Sequence, residues 1–297
     1  MNRMNNLESI QNLPAHLARR VLGQSAALET IATWGCSWLA GVLEKAPRVL
    51  LLGPTGVGKT ECALALSEAM TGRAPARLDM SEFQLQESVG SLLGDRVGDT
   101  GRLSPLLVGS PLPLLLLDEI EKAHPRVLDL LLQMLEPGHL TLADGTPIDL
   151  TQVVIVCTSN LATAAVTDVH ALSTQALEDY VLEQVRHELR LETLNRFDAI
   201  VVFRPLDLEV QEMVLQLHLE QYLHWLVTQG FHIQPTPEAA RWLMLRAFDQ
   251  RWGARPLRRA IRFHIGQAIV AALLRGESGS GRLGVEGQRF ILRSTPA

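Results

Sequence analysis

The segment RVLLLGPTGVGKT, residues 48–60, determines how the rest of the chain can be interpreted. It begins with a short run of valine and leucine, a composition typical of a strand buried on both faces of a parallel sheet. The glycine-rich stretch from Gly53 to Thr60 follows and has the pattern G-x-x-x-x-G-K-[ST]. A helical pattern starts where this stretch ends. A strand, a glycine loop and a helix in this order predict a phosphate-binding loop rather than a glycine-rich turn with a chance lysine.

The residue types of this loop predict a bound nucleotide. Glycines allow backbone N–H groups to surround phosphates, and the helix that follows directs its positive end toward them. We expect Lys59 to reach the β- and γ-phosphates and the Thr60 hydroxyl to ligate Mg²⁺. ATP and Mg²⁺ are therefore the expected cofactors. The predicted nucleotide contacts in this segment are Pro54, Thr55, Gly56, Val57, Gly58, Lys59 and Thr60.

Two further apolar runs end in polar side chains. PLLLLDE, residues 113–119, ends in two carboxylates, and VVIVCTSN, residues 153–160, ends in an asparagine. We expect Asp118 to hold Mg²⁺ and to contact the nucleotide, and Glu119 to activate the attacking water as general base. Asn160 is predicted to orient the same water from a neighbouring strand. The alternative is that these residues merely end strands.

The order of apolar runs and helical patterns predicts an α/β fold with a parallel sheet flanked by helices. After RPLD, residues 204–207, only helical patterns follow until a tail with two candidate strands. We place the domain boundary near Pro205, giving a large α/β ATPase domain with N-terminal helices (1–205) and a small, mainly helical lid domain (206–297). The predicted strands are 48–53, 113–119, 153–160 and 199–203; the predicted helices include two within 13–45 that break near Gly23, 60–70, 126–135, 215–226, 239–247 and 258–274.

Composition gives no indication of several classes of protein. The chain has 27 Lys plus Arg and 32 Asp plus Glu, and it lacks the basic block typical of nucleic-acid binders. The three cysteines, Cys36, Cys62 and Cys157, have neither zinc-ligand spacing nor a disulfide pattern. No signal peptide and no apolar run of the ~18 residues that a membrane helix needs are found. We expect a cytoplasmic protein without a membrane span, and nucleic acid is not indicated as a partner.

Seven further segments, together with the phosphate loop, give a resemblance to a known family. The segments are RVLGQSAA (20–27), RLDMSEF (77–83), LLLLDEIEKAHP (114–125), LLLQMLEPGHLT (130–141), VVIVCTSNLA (153–162), LNRFDAIVVFRPL (194–206) and RWGARPLRRAI (251–261). With them, the chain resembles the AAA+ ATPases of the Clp type, and within them the second ATPase module of the ClpB-like disaggregases, over residues 13 to 277.

The resemblance implies a P-loop ATPase that assembles into a homo-oligomeric ring, usually a hexamer, with the nucleotide between the large domain and the lid. It assigns Val21 and Leu22 to the adenine pocket and Arg255 to the lid arginine that reaches the γ-phosphate. It assigns Arg196 to the arginine finger that enters the neighbouring subunit's site. The alternative for each arginine is a solvated salt-bridge partner. Arg190 is a weaker candidate for a second interface arginine, because LRLETLNR departs from the family pattern FRPEFLNR.

The segment GSLLGDRVGDTGRL, residues 90–103, departs from the family. The family has a longer pore loop with Tyr-Val-Gly, where this chain has Arg96, Val97 and Gly98. An aromatic ring grips arbitrary polypeptide by apolar contact, whereas arginine favours acidic groups or phosphates. We expect generic threading to be lost or replaced, unless Val97 or Leu103 grips instead. The large domain also lacks an I/L-G-F tripeptide, and QGF falls at 229–231, so we expect no peptidase partner.

Three functions are compatible with these residues. The leading one is an ATP-hydrolysing ring that remodels or moves a specific macromolecular partner, most simply a protein, by Clp-like chaperone chemistry. The alternative is an ATP-switched clamp or adaptor ring that assembles on a partner without threading polypeptide. A small-molecule kinase is disfavoured, because Arg196, Asn160 and Arg255 would then have no role.

The altered loop yields a direct test with a tagged model protein as substrate. We expect the chain not to unfold this protein by the generic, sequence-independent grip of an aromatic pore loop. Unfolding is measured as ATP-dependent loss of the model protein's fluorescence. ATP-dependent unfolding that is unaffected by Arg96→Ala would contradict the specialised-loop interpretation.

Overall fold

The computed structural model describes residues 3–94, 99, 101–107, 114–136, 138–143, 145–161, 174–247 and 254–293. The chain divides into two compact units. The first comprises Met1–Pro54 and Gly58–Arg204, and the second comprises Thr55–Val57 and Pro205–Ala297. Among the described residues, no helix is both long and apolar enough to cross a membrane. Cys36, Cys62 and Cys157 are free thiols.

The first unit is built on a five-stranded sheet with the order β2-β3-β6-β1-β7, in which every neighbouring pair is parallel. Every residue of β1, β3 and β6 is buried, as expected for strands covered by helices on both faces. This confirms the predicted parallel α/β fold. The strands of this unit are β1 (Arg48–Leu52), β2 (Ala76–Asp79), β3 (Leu114–Asp118), the hairpin strands β4 (His139–Thr141) and β5 (Pro147–Asp149), β6 (Val154–Ser159) and β7 (Ala199–Val202).

Helices and short turns surround this sheet. The predicted break between the first two helices is confirmed at residues 21–24, but the predicted start of the first helix at residue 13 is wrong. Polar residues dominate the preceding stretch, so apolar periodicity gave no signal there, although Met, Glu and Gln favour helix. The helices are α1 (Arg3–Arg20), α2 (Ser25–Leu39), α3 (Lys59–Thr71), α4 (Ser88–Leu93), α5 (Leu103–Leu107), α6 (Pro125–Leu135), α7 (Thr174–Val185) and α8 (Leu191–Leu194), with 3₁₀ turns at Met80–Phe83 and Ile120–Lys122.

In the described part of the second unit, three helices pack with a three-stranded sheet. Asp207 caps its first helix by accepting a hydrogen bond from the Val210 N–H at 2.8 Å. The two strands predicted in the tail are confirmed and pair antiparallel. A third, three-residue strand joins them in parallel. The elements are α9 (Leu208–Thr228), β8 (Ile233–Pro235), α10 (Pro237–Ala247), α11 (Arg255–Leu274), β9 (Gly281–Glu286) and β10 (Arg289–Arg293).

A buried arginine fixes the amino end of the central strand β1. Arg48 is 3% exposed, and burial lowers the pKa of its guanidinium. Its backbone N–H donates to Asp198 Oδ2 at 2.7 Å, which ties β1 to the start of β7. The guanidinium donates to the carbonyls of Ala46, Leu135 (3.4 Å), Leu150 (3.0 Å) and Val153 (3.2 Å). One side chain therefore satisfies carbonyls from several segments around the sheet's amino edge.

Replacement of Arg48 tests this role. Arg48→Met keeps most of the side chain's length but leaves these buried carbonyls without a donor, so we expect the free energy of unfolding to fall by about 2–4 kcal/mol. Urea denaturation measures this loss. Arg126→Met, at an exposed position in α6, is the matched control and should change stability by less than about 0.5 kcal/mol. Equal stability of the two variants would contradict the role of Arg48.

Candidate functional site

Three parallel strands end at one edge of the sheet, and each is followed by predicted site residues. The glycine loop follows β1, Asp118 ends β3 and Glu119 comes directly after it, and Asn160 follows β6. The register aligns Leu52 with Ser159, and it aligns Leu117 with Cys157. Because the strands are parallel and in this register, their carboxyl ends lie side by side.

The glycine loop has a backbone that glycine alone adopts readily. Gly53, Gly56 and Gly58 have φ values of 140°, 77° and 109°. A Cβ atom at Gly53 would lie 2.4 Å from the Phe203 carbonyl oxygen. A Cβ at Gly58 would lie 3.0 Å from Val21 Cγ1, so Val21 lies against the loop. The loop therefore packs closely against Phe203 and Val21, and a side chain at Gly53 or Gly58 would displace it.

Lys59 connects the loop to the end of β6. The side chain is largely buried, and its Nζ donates to the Gly53 carbonyl at 2.6 Å and the Pro54 carbonyl at 2.7 Å. It also donates to Asn160 Oδ1 at 3.0 Å. The structure thus brings together two of the predicted site residues from different strands, with a positive charge at the sheet edge beside the loop.

Asp118 is a buried carboxylate surrounded by donors. It accepts hydrogen bonds from Thr60 Oγ1 at 3.0 Å, from Arg77 Nη2 at 2.6 Å and from the Thr158 hydroxyl. A hydroxyl beside a carboxylate is the oxygen donor set that Mg²⁺ prefers. Thr60 and Asp118 therefore fit a magnesium ion, as the sequence predicts.

Glu119 has a strained backbone. Its φ of 58° makes it the only non-glycine residue with positive φ in the described part of the chain. Such a conformation costs on the order of 1 kcal/mol and persists where surrounding contacts impose it. Here the Glu119 N–H donates to Thr158 Oγ1 at 3.0 Å. Thr158 thus links the predicted general base to the predicted magnesium ligand Asp118.

Asn160 is oriented by a second carboxylate. Its Nδ2 and its backbone N–H donate to Glu121 Oε1 at 3.1 and 3.2 Å. Its Oδ1 is then directed to Lys59, so the amide has a defined orientation. Glu121 Oε2 is buried and has no hydrogen-bond partner among the described residues.

Sequence reasoning missed three of these residues. Thr158 is fully buried in β6, where every side chain is buried, so burial pattern did not distinguish it from the core. Glu121 lies in the segment LLLLDEIEKAHP and Arg77 in RLDMSEF, but only the folded chain places them beside Asn160 and Asp118. A buried threonine next to polar residues at a strand end is the one signal that was available.

Arg196 lies near the amino ends of the strands, on the side of the sheet opposite to the glycine loop. The Asp198 N–H donates to the Arg48 carbonyl at 2.9 Å, which places this segment at the amino end of β1. The length of β1, roughly 16 Å for a strand of this size, separates it from the glycine loop of its own chain. The Arg196 guanidinium is ion-paired with Glu136, and its Nη2 lies 3.5 Å from Glu192 Oε1. The structure therefore does not bring Arg196 to Lys59.

The predicted adenine residues differ in exposure. Val21 is buried and Leu22 is half-buried. Gln24 is buried and holds this segment to the end of β7. Its Nε2 donates to the Arg204 carbonyl at 2.9 Å, and its Oε1 accepts from the Arg204 N–H at 3.0 Å.

The remaining predicted residues are found elsewhere. Arg255 is exposed at the start of α11 in the second unit. Arg190 is exposed and paired with Asp129, with 2.6 Å between Nη1 and Oδ1. Arg96, Val97 and Gly98 lie outside the described residues. The alternative that Leu103 grips substrate is wrong, because Leu103 is 0% exposed and packs in the core of the first unit.

Comparison with protein families identifies two segments of the chain. Residues 44–200 match the AAA domain (Cdc48 subfamily). Residues 206–283 match the C-terminal, D2-small domain of ClpB protein.

Curated relatives and solved structures agree with this. The chain is 35% identical to the chaperone protein ClpB of Aquifex aeolicus over 93% of its own length and 29% of that protein's. It is 36% identical to ClpB of Streptomyces albus G, over 92% of its own length and 33% of that protein's. The chain therefore spans about a third of the length of these relatives. A closed-state cryo-EM reconstruction of Hsp104 with ATPyS and FITC casein superposes with a TM-score of 0.85 at 28% identity, covering 97% of this chain and 52% of that chain. The S. cerevisiae Hsp104–ADP complex superposes with a TM-score of 0.84 at 27% identity, covering 96% of this chain and 52% of that chain.

Thr158 can be tested by removal of its hydroxyl alone. Thr158→Val preserves shape but leaves the Glu119 N–H and an Asp118 oxygen without this partner. We expect ATP hydrolysis to fall by about 10- to 100-fold, with nucleotide affinity changed far less, because Lys59 and the loop remain. Steady-state ATPase assays and nucleotide titration measure the two effects. Thr158→Ser, which keeps the hydroxyl, should retain most activity; equal losses in both variants would contradict the role assigned to the hydroxyl.

Proposed function

Because the chain belongs to the AAA family of ATPases and carries a small domain of the ClpB type, we propose that it hydrolyses ATP within a ring of identical subunits and uses this cycle to remodel or move a protein partner. The observation that carries the proposal is the convergence of Lys59, Asp118 and Asn160 at one sheet edge, with Arg196 at the other.

The residues at the carboxyl edge have distinct roles in this proposal. The glycine loop and Lys59 bind the phosphates, and Thr60 and Asp118 hold Mg²⁺. When bound, Mg²⁺ would neutralise charge on the oxygens of the γ-phosphoryl group that ATP would donate to water. Glu119 accepts the proton of the attacking water at its carboxylate. Asn160, oriented by Glu121, positions that water.

The ring follows from the position of Arg196. A guanidinium that stabilises the developing charge must reach the γ-phosphate. Arg196 lies about one strand length from its own loop, so we assign it to the site of a neighbouring subunit. Arg255 would reach the phosphate from the small domain of the subunit that binds the nucleotide. A hexamer is the proposed assembly. Val21 and Leu22 are proposed to contact the adenine.

The proposed partner is a protein. The relatives are named chaperones, and one Hsp104 structure contains casein. Likeness to these proteins favours remodelling over the clamp alternative. We propose that Arg96 makes the grip selective, that no peptidase takes part, and that the protein works in the cytoplasm.

Mixing two inactive variants tests the exchange of catalytic groups between subunits. Arg196→Ala retains its own Glu119 but gives nothing to its neighbour, and we expect about a 10³- to 10⁵-fold loss of turnover with ATP affinity nearly unchanged. Glu119→Gln retains Arg196 but should bind ATP without hydrolysing it. An equal mixture should recover roughly a quarter of the wild-type rate, because one neighbouring pair in four has the productive order in a head-to-tail ring.

The control for this experiment is each variant alone at the same total concentration. ATPase assays and light scattering measure turnover and assembly together. Mixed rings that remain as inactive as the separate variants would contradict donation of Arg196 between subunits.

A further inference from the structure

The surroundings of Arg196 form a cavity of about 760 Å³ near the amino ends of the strands, and four carboxylates and three basic side chains line it. We call it the finger cavity. Glu44, Glu136 and Glu192 line it and are exposed. Its lining also includes Asp198 and the cations Lys45, Arg48 and Arg196, of which Arg196 is ion-paired with both Glu136 and Glu192. Removal of this guanidinium would leave Glu136 and Glu192 without this partner and the four carboxylates in excess over Lys45 and Arg48.

The proposed function requires that removal. If Arg196 extends to a phosphate in the next subunit, Glu136 and Glu192 lose their ion pairs. Carboxylates in one cavity repel each other at short range. A further cation in place of Arg196 would offset this repulsion and favour assembly of the active site.

Helix α11 presents such cations in the second unit. Its first eight residues include Arg255, Arg258, Arg259 and Arg262, all exposed, and α11 contains no Asp or Glu. Cations near a helix N-terminus oppose the helix dipole. This cluster is therefore not explained by helix stability. Arg258 Nε lies 3.3 Å from His218 Nδ1, whereas Arg259 and Arg262 form no ion pair within the described ranges.

The two arginines assigned to the γ-phosphate would place the finger cavity of one subunit near α11 of the next. The finger cavity surrounds Arg196. Arg255 lies on the same face of α11 as Arg259 and Arg262, which are four and seven residues further on. Along the helix axis these positions are about 6 and 10 Å from Arg255. A phosphate contacted by Arg196 of one subunit and Arg255 of the next therefore has the finger cavity and the arginine face beside it.

We propose that Arg259 and Arg262 of one subunit dock into the finger cavity of the next copy of this chain, against Glu44, Glu136 and Glu192. This inference rests on the proposed function. The carboxylates exchange Arg196 for the neighbour's arginines, so that the release of the finger and the assembly of the ring are one event. A subunit without a neighbour keeps Arg196 in its own cavity.

Charge reversal on each surface tests this exchange. The helix variant carries Arg259→Glu and Arg262→Glu, and the cavity variant carries Glu44→Lys and Glu192→Lys. Each places like charges at every interface of its own ring, and we expect the concentration for half-assembly to rise at least about tenfold. In an equal mixture, rings can form in which the two variants alternate. At one interface the introduced glutamates of the helix variant then face the introduced lysines of the cavity variant, and at the next interface unchanged arginines face unchanged glutamates. Assembly should return toward the wild-type concentration.

Sedimentation velocity with ATP, on the full chain, measures these concentrations. The matched control, Arg241→Glu with Arg282→Glu, reverses two exposed arginines on α10 and β9 and should assemble like the wild type. Circular dichroism checks that each variant is folded. If the wild type forms rings and both reversed variants assemble equally well, or if the mixture is no better than its components, the inference is overturned and the proposed function stands. If the wild type forms no ring, the proposed function fails as well.

Discussion

The length of strand β1 is the constraint on which the rest of this structure depends. The phosphate loop follows its carboxyl end, and the segment that carries Arg196 is hydrogen-bonded to its amino end. A parallel sheet fixes these ends roughly 16 Å apart. No change of side-chain conformation within the sheet removes this separation. In the proposed mechanism, Lys59 and Arg196 can therefore act on the same γ-phosphate only when two copies of the chain meet.

The carboxyl edge is organised by two short hydrogen-bonded chains. In one, Thr158 joins Asp118 to the strained backbone of Glu119. In the other, Glu121 orients Asn160, whose oxygen contacts Lys59. Each chain connects neighbouring strands, so the positions of the proposed catalytic groups depend on the sheet register. The strain at Glu119 is stored where the proposed general base must be held in one place.

The amino edge is organised by charge. Arg48 is buried among carbonyls and stabilises the sheet, whereas Arg196 is paired with exposed carboxylates in the finger cavity, which it is proposed to leave. Two arginines near the same end of the same strand thus have different environments and different proposed uses. One is fixed because many carbonyls require it. The other has exposed carboxylate partners, and such pairs are weak in water.

Much of the fold could be predicted because buried parallel strands have a clear sequence signal. The runs that became β1, β3 and β6 are continuous, apolar and followed by Lys59, Asp118 and Asn160, so the sheet edge and its residues were accessible from the sequence. Strand β2 was not predicted, because it is short, is an outermost strand of the sheet and is only partly buried. Thr158 and Glu121 could not be assigned, because their roles depend on contacts between strands. The alternative that Leu103 grips substrate was wrong, because its burial depends on how α5 packs and could not be predicted from the sequence.

The ATPase rate per subunit, measured as the protein is diluted through its assembly range, tests the central claim most directly. Donation of Arg196 between subunits predicts that this rate falls toward zero as rings dissociate and that it follows the assembled fraction measured in parallel. A single, dissociated subunit that hydrolyses ATP at the full rate would contradict the account.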